Sequence, residues 1–216
     1  MNIEERIKKI NKEDYFTSAN LHTHSTYSDG KTDFLELIKQ AEELGLKHLA
    51  ISDHNTVEGW KKLNDKKNFL IPAVEFDCFT SGTLLHILGY GIDVNCPELK
   101  EICAKSDTEK HNDLIRLFKS RNPKKVIEAI HKANGIAVLA HPCCCWVISL
   151  DRLVKKLKSY GLDGIETYYP YKRLRGIVKF HSSKKIEKLA QKYNLIKTGG
   201  TDEHGSLVDS FNKYSI

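Results

Sequence analysis

Residues 21–30 read Leu21-His22-Thr23-His24-Ser25-Thr26-Tyr27-Ser28-Asp29-Gly30, an apolar segment that stops on two histidines spaced two apart and then an Asp-Gly pair. In extended backbone, residues two apart share a face, so His22 and His24 are able to turn toward one ion. The same ending recurs along the chain. Leu49-Ala50-Ile51 leads into Ser52-Asp53-His54, and Ile71-Pro72-Ala73-Val74 leads into Glu75. Ala137-Val138-Leu139-Ala140 leads into His141-Pro142, and residues 195–200 lead into Thr201-Asp202-Glu203-His204. Five apolar runs therefore end in residue types that bind metals. In α/β folds the carboxyl ends of the strands converge on one face, where active sites are built.

Working outward, strand-like runs fall at Thr17–Leu21, Lys47–Ile51, Phe69–Val74, Leu84–Gly89, Ile136–Ala140, Gly164–Thr167 and Leu195–Thr198. Helical periodicity is clearest at Asp33–Leu44, Pro123–Asn134, Leu150–Tyr160 and Ser182–Tyr193. Asp33 suits an N-cap, with Leu35, Ile38, Ala41, Glu42 and Leu44 as the expected inward stripe, and Pro123 suits a first helical turn. Gly135 and Gly161 fit helix ends. Strands alternating with helices imply parallel pairing and an α/β architecture. Seven strands suggest a single-domain barrel smaller than the eightfold kind. Residues 1–16 are expected to be an N-terminal arm or short helix, with the domain proper over 17–216. The irregular, polar stretch Asn95–Asn122 is expected to pass over the barrel mouth.

At 216 residues, 40% hydrophobic and 29% charged, the chain has the composition of an ordinary globular domain. No apolar run approaches the roughly 18 to 20 residues that span a bilayer. The charged start, MNIEERIKKINKEDYF, lacks the apolar centre of a secretory signal, so a cytoplasmic location and no membrane contact are expected. The net charge of +6 is spread along the chain and neither requires nor forbids a nucleic-acid surface. Cys78, Cys96 and Cys103 are scattered and Cys143, Cys144 and Cys145 are consecutive. Neither a zinc ribbon nor a disulfide framework is indicated. Reduced thiols are the plainer reading, with oxidation sensitivity possible beside His141.

Mixed imidazole and carboxylate donors suit zinc, manganese or iron. The candidates outnumber what one tetrahedral ion uses, so two or three clustered divalent ions are expected. His86, inside the apolar strand Leu84–Gly89, is positioned to point into the same space. Asp53 is read as orienting a neighbouring ligand, whereas His48, His111 and His131 are read as unrelated to the site.

The ordered motifs LHTHSTYSDG, ISDH, AVEF, LHILGY, VLAHP, GIETYYP and GGTDEHG resemble the PHP (polymerase and histidinol phosphatase) family of metal-dependent phosphoesterases, most closely its stand-alone bacterial members. The resemblance implies a distorted (β/α)7 barrel and the hydrolysis of phosphate esters by a metal-activated water. Carried over motif by motif, it implies that His22, His24, Glu75 and Asp202 hold one ion. Glu75 would bridge to a second on His86 and His141, and Asp29, His54 and His204 would hold a third. Glu75, Asp202 and His204 are the implied catalytic groups, and His181 matches a position near substrate. The chain departs from similar members in a short segment before VLAHP, whose Arg116, Lys119 and Arg121 do not clearly match their phosphate-gripping arginines.

The expected substrate is a phosphorylated small molecule or nucleotide, or alternatively the 5′ end of a short oligonucleotide, with no obligatory protein partner. Two rivals stand beside this: an amidohydrolase, which also opens on HxH, and a non-catalytic metal-stabilised module. No nucleophile elbow or GxxxxGK loop is present, against a serine hydrolase or a nucleotide-driven motor.

Overall fold

A computed structural model of the chain describes residues 2–65, 67–169 and 180–209. The end of the GIETYYP stretch, Lys179 before His181 and the last seven residues of the expected 17–216 domain lie outside them. Seven strands form where apolar runs were read: β1 (Ala19–Asn20), β2 (His48–Leu49), β3 (Ala73–Thr80), β4 (Thr83–Tyr90), β5 (Ile136–Leu139), β6 (Gly164–Tyr168) and β7 (Ile196–Gly199). Among the described residues the helices are α1 (Ile3–Lys8), α2 (Phe34–Glu43), α3 (Glu58–Lys62), α4 (Pro97–Ile102), α5 (Asp107–His111), α6 (Asp113–Phe118), α7 (Pro123–Lys132), α8 (Leu150–Ser159) and α9 (Ser183–Lys192).

Local chemistry explains the longer helices. Asp33 caps α2 by accepting from the backbone N–H of Leu35 and Glu36, and Asn122, Ser149 and Ser182 cap α7, α8 and α9 in the same way. The buried stripe of α2 is Phe34, Leu37, Ile38 and Ala41. This corrects the stripe expected from the sequence, because Leu35 is 61% exposed. In α8, Leu150, Leu153, Val154 and Leu157 are buried at helical spacing, and each such side chain stabilises the fold by about 1.5–3 kcal/mol relative to exposure.

Pairing differs from the expected all-parallel arrangement. β1 and β2 form a parallel pair, while β3-β4-β5-β6-β7 form a mixed five-stranded sheet. β4 runs antiparallel to both β3 and β5; β5, β6 and β7 are mutually parallel. The reason is a two-residue turn: Ser81 (φ 54°) and Gly82 (φ 75°) both adopt left-handed backbone, the geometry of a tight hairpin that leaves no room for a crossover helix. β3 also starts late, after Pro72, which has no N–H to donate. A closed ring of seven parallel strands is therefore not what the hydrogen bonding draws. Single parallel bridges, Leu49 to Leu70, His54 to Glu75 and Thr23 to Glu203, join the two sheets.

A core of Leu21, Ala50, Ile71, Leu88, Val138, Ala140 and Ile196 lies between the sheets, and Ile7, Ile10 and Tyr15 from the N-terminal residues pack into it. The expected arm is thus a plug on the core. The irregular stretch carries α4, α5 and α6, and α6 lays Arg116 against Asp29, with Nη1 3.1 Å from Oδ2.

Candidate metal centre

The strand ends after β1, β2, β5 and β7 meet the start of β3 and the middle of β4. His22 and His24 follow β1, His54 follows β2, Glu75 lies in β3, His86 lies in β4, and His141 and Asp202 follow β5 and β7. His141 (φ 22°) and Asp202 (φ 50°) both have left-handed backbone. That conformation is sparsely populated outside glycine and turns the chain sharply as it leaves the strand. Gly200 makes the approach possible: a Cβ there would collide with the Cβ and backbone N of His22.

Glu75 is the hub. Its Oε2 lies 3.1 Å from His22 Nε2, 3.2 Å from His24 Nε2 and 3.4 Å from His54 Nε2. Its Oε1 lies 3.0 Å from His86 Nδ1 and 3.1 Å from His141 Nε2. Asp202 Oδ1 stands 3.2 Å from His24 Nε2 and 3.6 Å from His22 Nε2. Asp29 Oδ2 is 3.2 Å from His204 Nε2 and 3.8 Å from His54 Nε2. All nine sequence-derived metal candidates thus come together. Four sets have donor atoms close enough to share an ion: His24, Asp29, His54 and His204; His22, His24 and Asp202; His22, Glu75 and His141; and His54, Asp77 and His86.

These donors fit cations. Both ring nitrogens of His24, and Nδ1 of His54, are buried without a hydrogen bond of good geometry. Such groups are costly unless something else satisfies them. Ligands at 2.0–2.2 Å around a tetrahedral ion lie about 3.4 Å apart, the spacing found here.

The electrostatics say the same. Burial opposes charge on His24 and His86, but Glu75 with Asp202 for the first and with Asp77 for the second outweigh it, and both imidazoles are raised to about 9. His22 is also raised, its burial overcome by Glu75 and Glu166. For His54 burial wins and its pKa falls. Glu75, Asp77 and Asp202 are buried, which opposes ionisation, yet the surrounding imidazoles hold them far below the ordinary carboxylate range. In the metal-free cluster protons on the imidazoles offset the buried carboxylates, a role that cations would take over.

Sequence reading missed four contributors. Asp77 lies 3.3 Å from His54 Nδ1 and 3.1 Å from His86 Nε2, and it accepts from Asn55. Its signal was available, because it follows Glu75 by two residues on one strand face. Glu166 in β6 accepts from the backbone N–H of His141 at 2.6 Å and lies 3.0 Å from His22 Nδ1; an acid inside an apolar strand was the clue. Tyr169 donates to Asp202 Oδ2 at 3.0 Å. Arg116, set aside on sequence grounds, lines the cleft above the cluster, a space of ≈ 150 Å³ that also touches Cys144 and Tyr169.

Asp53 makes no hydrogen bond or ion pair to a ligand ring among the described residues. It accepts from Ser25 N and Oγ (both 2.7 Å) and from Ser28 Oγ (2.8 Å), fastening the loop between His24 and Asp29. His181 Nδ1 lies 3.3 Å from Lys185 Nζ, one turn along in α9, and His181 is not among the described residues that line the cleft. Among the described residues no cysteine joins a metal-type set, although Cys144 Sγ lies 3.4 Å from Cys143 Sγ.

The sequence profile of the PHP domain matches residues 20–197. The chain belongs to the PHP family. Among relatives of this PHP domain, phosphoribosyl 1,2-cyclic phosphate 1,2-diphosphodiesterase of Eggerthella lenta is 26% identical, the alignment covering 87% of this chain and 94% of that one. The 5′-3′ exoribonuclease Rnm of Salmonella typhimurium is 30% identical over 72% of this chain and 58% of its own length. In fold, the PHP domain is similar to a protein of Bifidobacterium adolescentis described as a metal-dependent phosphoesterase by assignment, with TM-score 0.72, 20% identity and 88% of each chain covered. It is also similar to a protein titled an amidohydrolase from Chromobacterium violaceum, with TM-score 0.70, 19% identity and 89% of each chain covered. The family is thus one of metal-dependent phosphoesterases, and this chain is an enzyme of that kind.

Proposed function

We propose that the protein hydrolyses phosphate esters with a water activated at a multinuclear metal centre. The observation that carries this is the divided carboxylate of Glu75, one oxygen facing His22, His24 and His54, the other facing His86 and His141. A carboxylate shared in this way is suited to bridge two ions. One set would be His22, His24 and Asp202, a second His86 and His141, with Glu75 common to both. Asp29, His54 and His204 would form a third. When bound, divalent ions there lower the pKa of a coordinated water toward neutrality and neutralise charge on phosphoryl oxygens. Zinc, manganese or iron suits these donors.

The chain's own groups do the rest. Glu166 holds the His22 ring through Nδ1, leaving Nε2 toward the centre, the task of a carboxylate behind a ligating histidine. Arg116 is almost buried, and its Nε makes no hydrogen bond. A guanidinium so placed beside the cluster suits a phosphoryl oxygen. The relatives named for a cyclic phosphate ester and for RNA both act on phosphodiesters, which supports the reaction class while leaving the substrate open. The seven strands and the bridges closing β1 toward Glu203 also support a distorted (β/α)7 barrel.

The test is phosphate release from a panel of phosphorylated metabolites and short oligonucleotides with manganese, zinc and iron, beside amide and lactone substrates. Hydrolysis of a phosphoester, lost at least 100-fold in Glu75→Gln, is expected. Turnover confined to amides or lactones, or full metal occupancy without any hydrolysis, would overturn the reading.

A further inference from the structure

The helix α6 is turned inside out. Its one buried side chain is the charged Arg116, whereas Leu114 is 68% exposed, Phe118 is 85% exposed and Leu117 is also open to solvent. Spaced three and four apart, Leu114, Leu117 and Phe118 form one apolar stripe that faces outward. Six residues are too few to hold a helix in water unaided. This one is anchored at its start by Asn112, which accepts from Ile115 N–H, and through Arg116 on Asp29. Its apolar stripe has the character of a face that packs against something.

The surface beside it is apolar too. Among the described residues ten large hydrophobic side chains are exposed, and all but Leu35 and Val208 lie on α6 or next to it. Phe79 and Leu84, paired across the β3–β4 hairpin, form with Leu117 and Trp146 a groove of ≈ 460 Å³. Trp146 carries the patch onward: its ring meets that of Phe180 with centroids 4.9 Å apart, and it shares a further hollow with Ile148. At about 150–250 Å² for a whole aromatic side chain, Phe79, Phe118, Trp146 and Phe180 leave roughly 500 Å² uncovered. With the four aliphatic residues the patch reaches roughly the 800 Å² per partner of a standard interface. The largest apolar patch of an ordinary monomer is about 300–600 Å².

We infer that a second copy of this chain covers this face, in a two-fold symmetric dimer in which Phe118 of each copy enters the groove of the other. The patch carries both halves of such a contact, a projecting stripe and an apolar groove beside it, and a two-fold interface requires only that one patch complement itself. Its area is what a stable dimer buries. Each copy has a net charge of +6. Apolar burial therefore drives association against charge repulsion, and salt should strengthen it by screening. An acidic partner would respond to salt in the reverse sense. The contact reaches the metal centre through α6, since the helix that presents Phe118 also holds Arg116 on Asp29. That consequence for catalysis rests on the phosphoesterase reading; the association itself does not.

Sedimentation velocity of the full chain between about 1 and 100 µM tests the inference. A monomer–dimer equilibrium that tightens as sodium chloride is added is expected. Phe118→Glu should weaken it by about 30-fold or more, the loss of a buried hot spot, and Leu114→Glu should act in the same direction. Phe118→Leu should keep most of the affinity, and Leu35→Glu, at an exposed leucine on α2, should leave it unchanged. All four substitutions replace exposed side chains, so far-ultraviolet circular dichroism should match the parent. Hydrogen exchange gives an independent reading: amides of α6 should gain protection as concentration rises, except in Phe118→Glu. A monomer at every concentration overturns the inference, whether α6 is then protected by its own chain or the monomer adsorbs to phosphatidylcholine vesicles. A dimer indifferent to both glutamate variants overturns it too, since the contact then lies on another face. Where a phosphoester is hydrolysed, specific activity should rise with the dimer population in the parent and stay flat in Phe118→Glu. Activity indifferent to association would uncouple α6 from the cluster while the dimer stands, and if no phosphoester is hydrolysed the reaction reading fails and sedimentation alone decides the dimer.

Discussion

At the scale of single residues, most of the ligand types were visible in the sequence because five apolar runs close on them, and five coincidences of that kind are hard to produce by chance. What was hidden is the layer behind them. Asp77, two residues after Glu75, and Glu166, an acid inside an apolar strand, each left a local signal, but neither signal names the histidine that the carboxylate meets. Only the fold brings Glu166 to His22, 144 residues away. Because Glu166 fixes the ring of His22 and the backbone of His141 together, Glu166→Gln should weaken metal affinity by about 10- to 100-fold with the fold retained. Competition against a chromogenic chelator measures this; unchanged affinity would reduce Glu166 to a packing residue.

Elements place those residues, and here boundaries and direction were harder to read than existence. The longer helices followed from their apolar spacing, with Asp33 and Pro123 marking two of the starts, whereas the caps at Asn122, Ser149 and Ser182 emerged only in the fold. The antiparallel course of β4 was missed although Ser81-Gly82 carried the turn signal, because the alternation of strands and helices elsewhere dominated the reading. The contact of α6 with Asp29 was also hidden, since it depends on how an irregular excursion folds back. The turn after β7 makes a sharper demand. With Gly200 against His22, Gly200→Ala should force the two segments apart and destabilise the protein by about 1–3 kcal/mol, as overpacking does. It should also lower metal affinity. A denaturant midpoint measured with and without metal checks both effects, and a variant as stable and as tightly metallated as the parent would contradict the close approach.

For the whole molecule, α/β class and the convergence of strand ends were readable, while the two-sheet arrangement was not, since pairing between distant strands leaves no local trace. The buried charge has a global consequence. His24 and His86 titrate near 9 in the metal-free protein against an ordinary 6.5. Groups with raised pKa stabilise the fold fully below the unfolded value and lose that contribution as pH climbs through the folded one. Metal-free protein should therefore lose thermal stability between about pH 6.5 and 9, whereas saturating manganese, which takes over the role of the protons, should flatten the decline. His54, with its lowered pKa, acts in the opposite sense below that window. Melting curves in chelator and in manganese decide this; rising stability of the chelated protein over the same range would contradict it. The most direct test of the central claim is anomalous diffraction from crystals grown with manganese. At least two peaks flanking the Glu75 carboxylate, within bonding distance of His22, His24 and Asp202 on one side and His86 and His141 on the other, are expected. Strong peaks elsewhere, with none beside Glu75, would contradict the account.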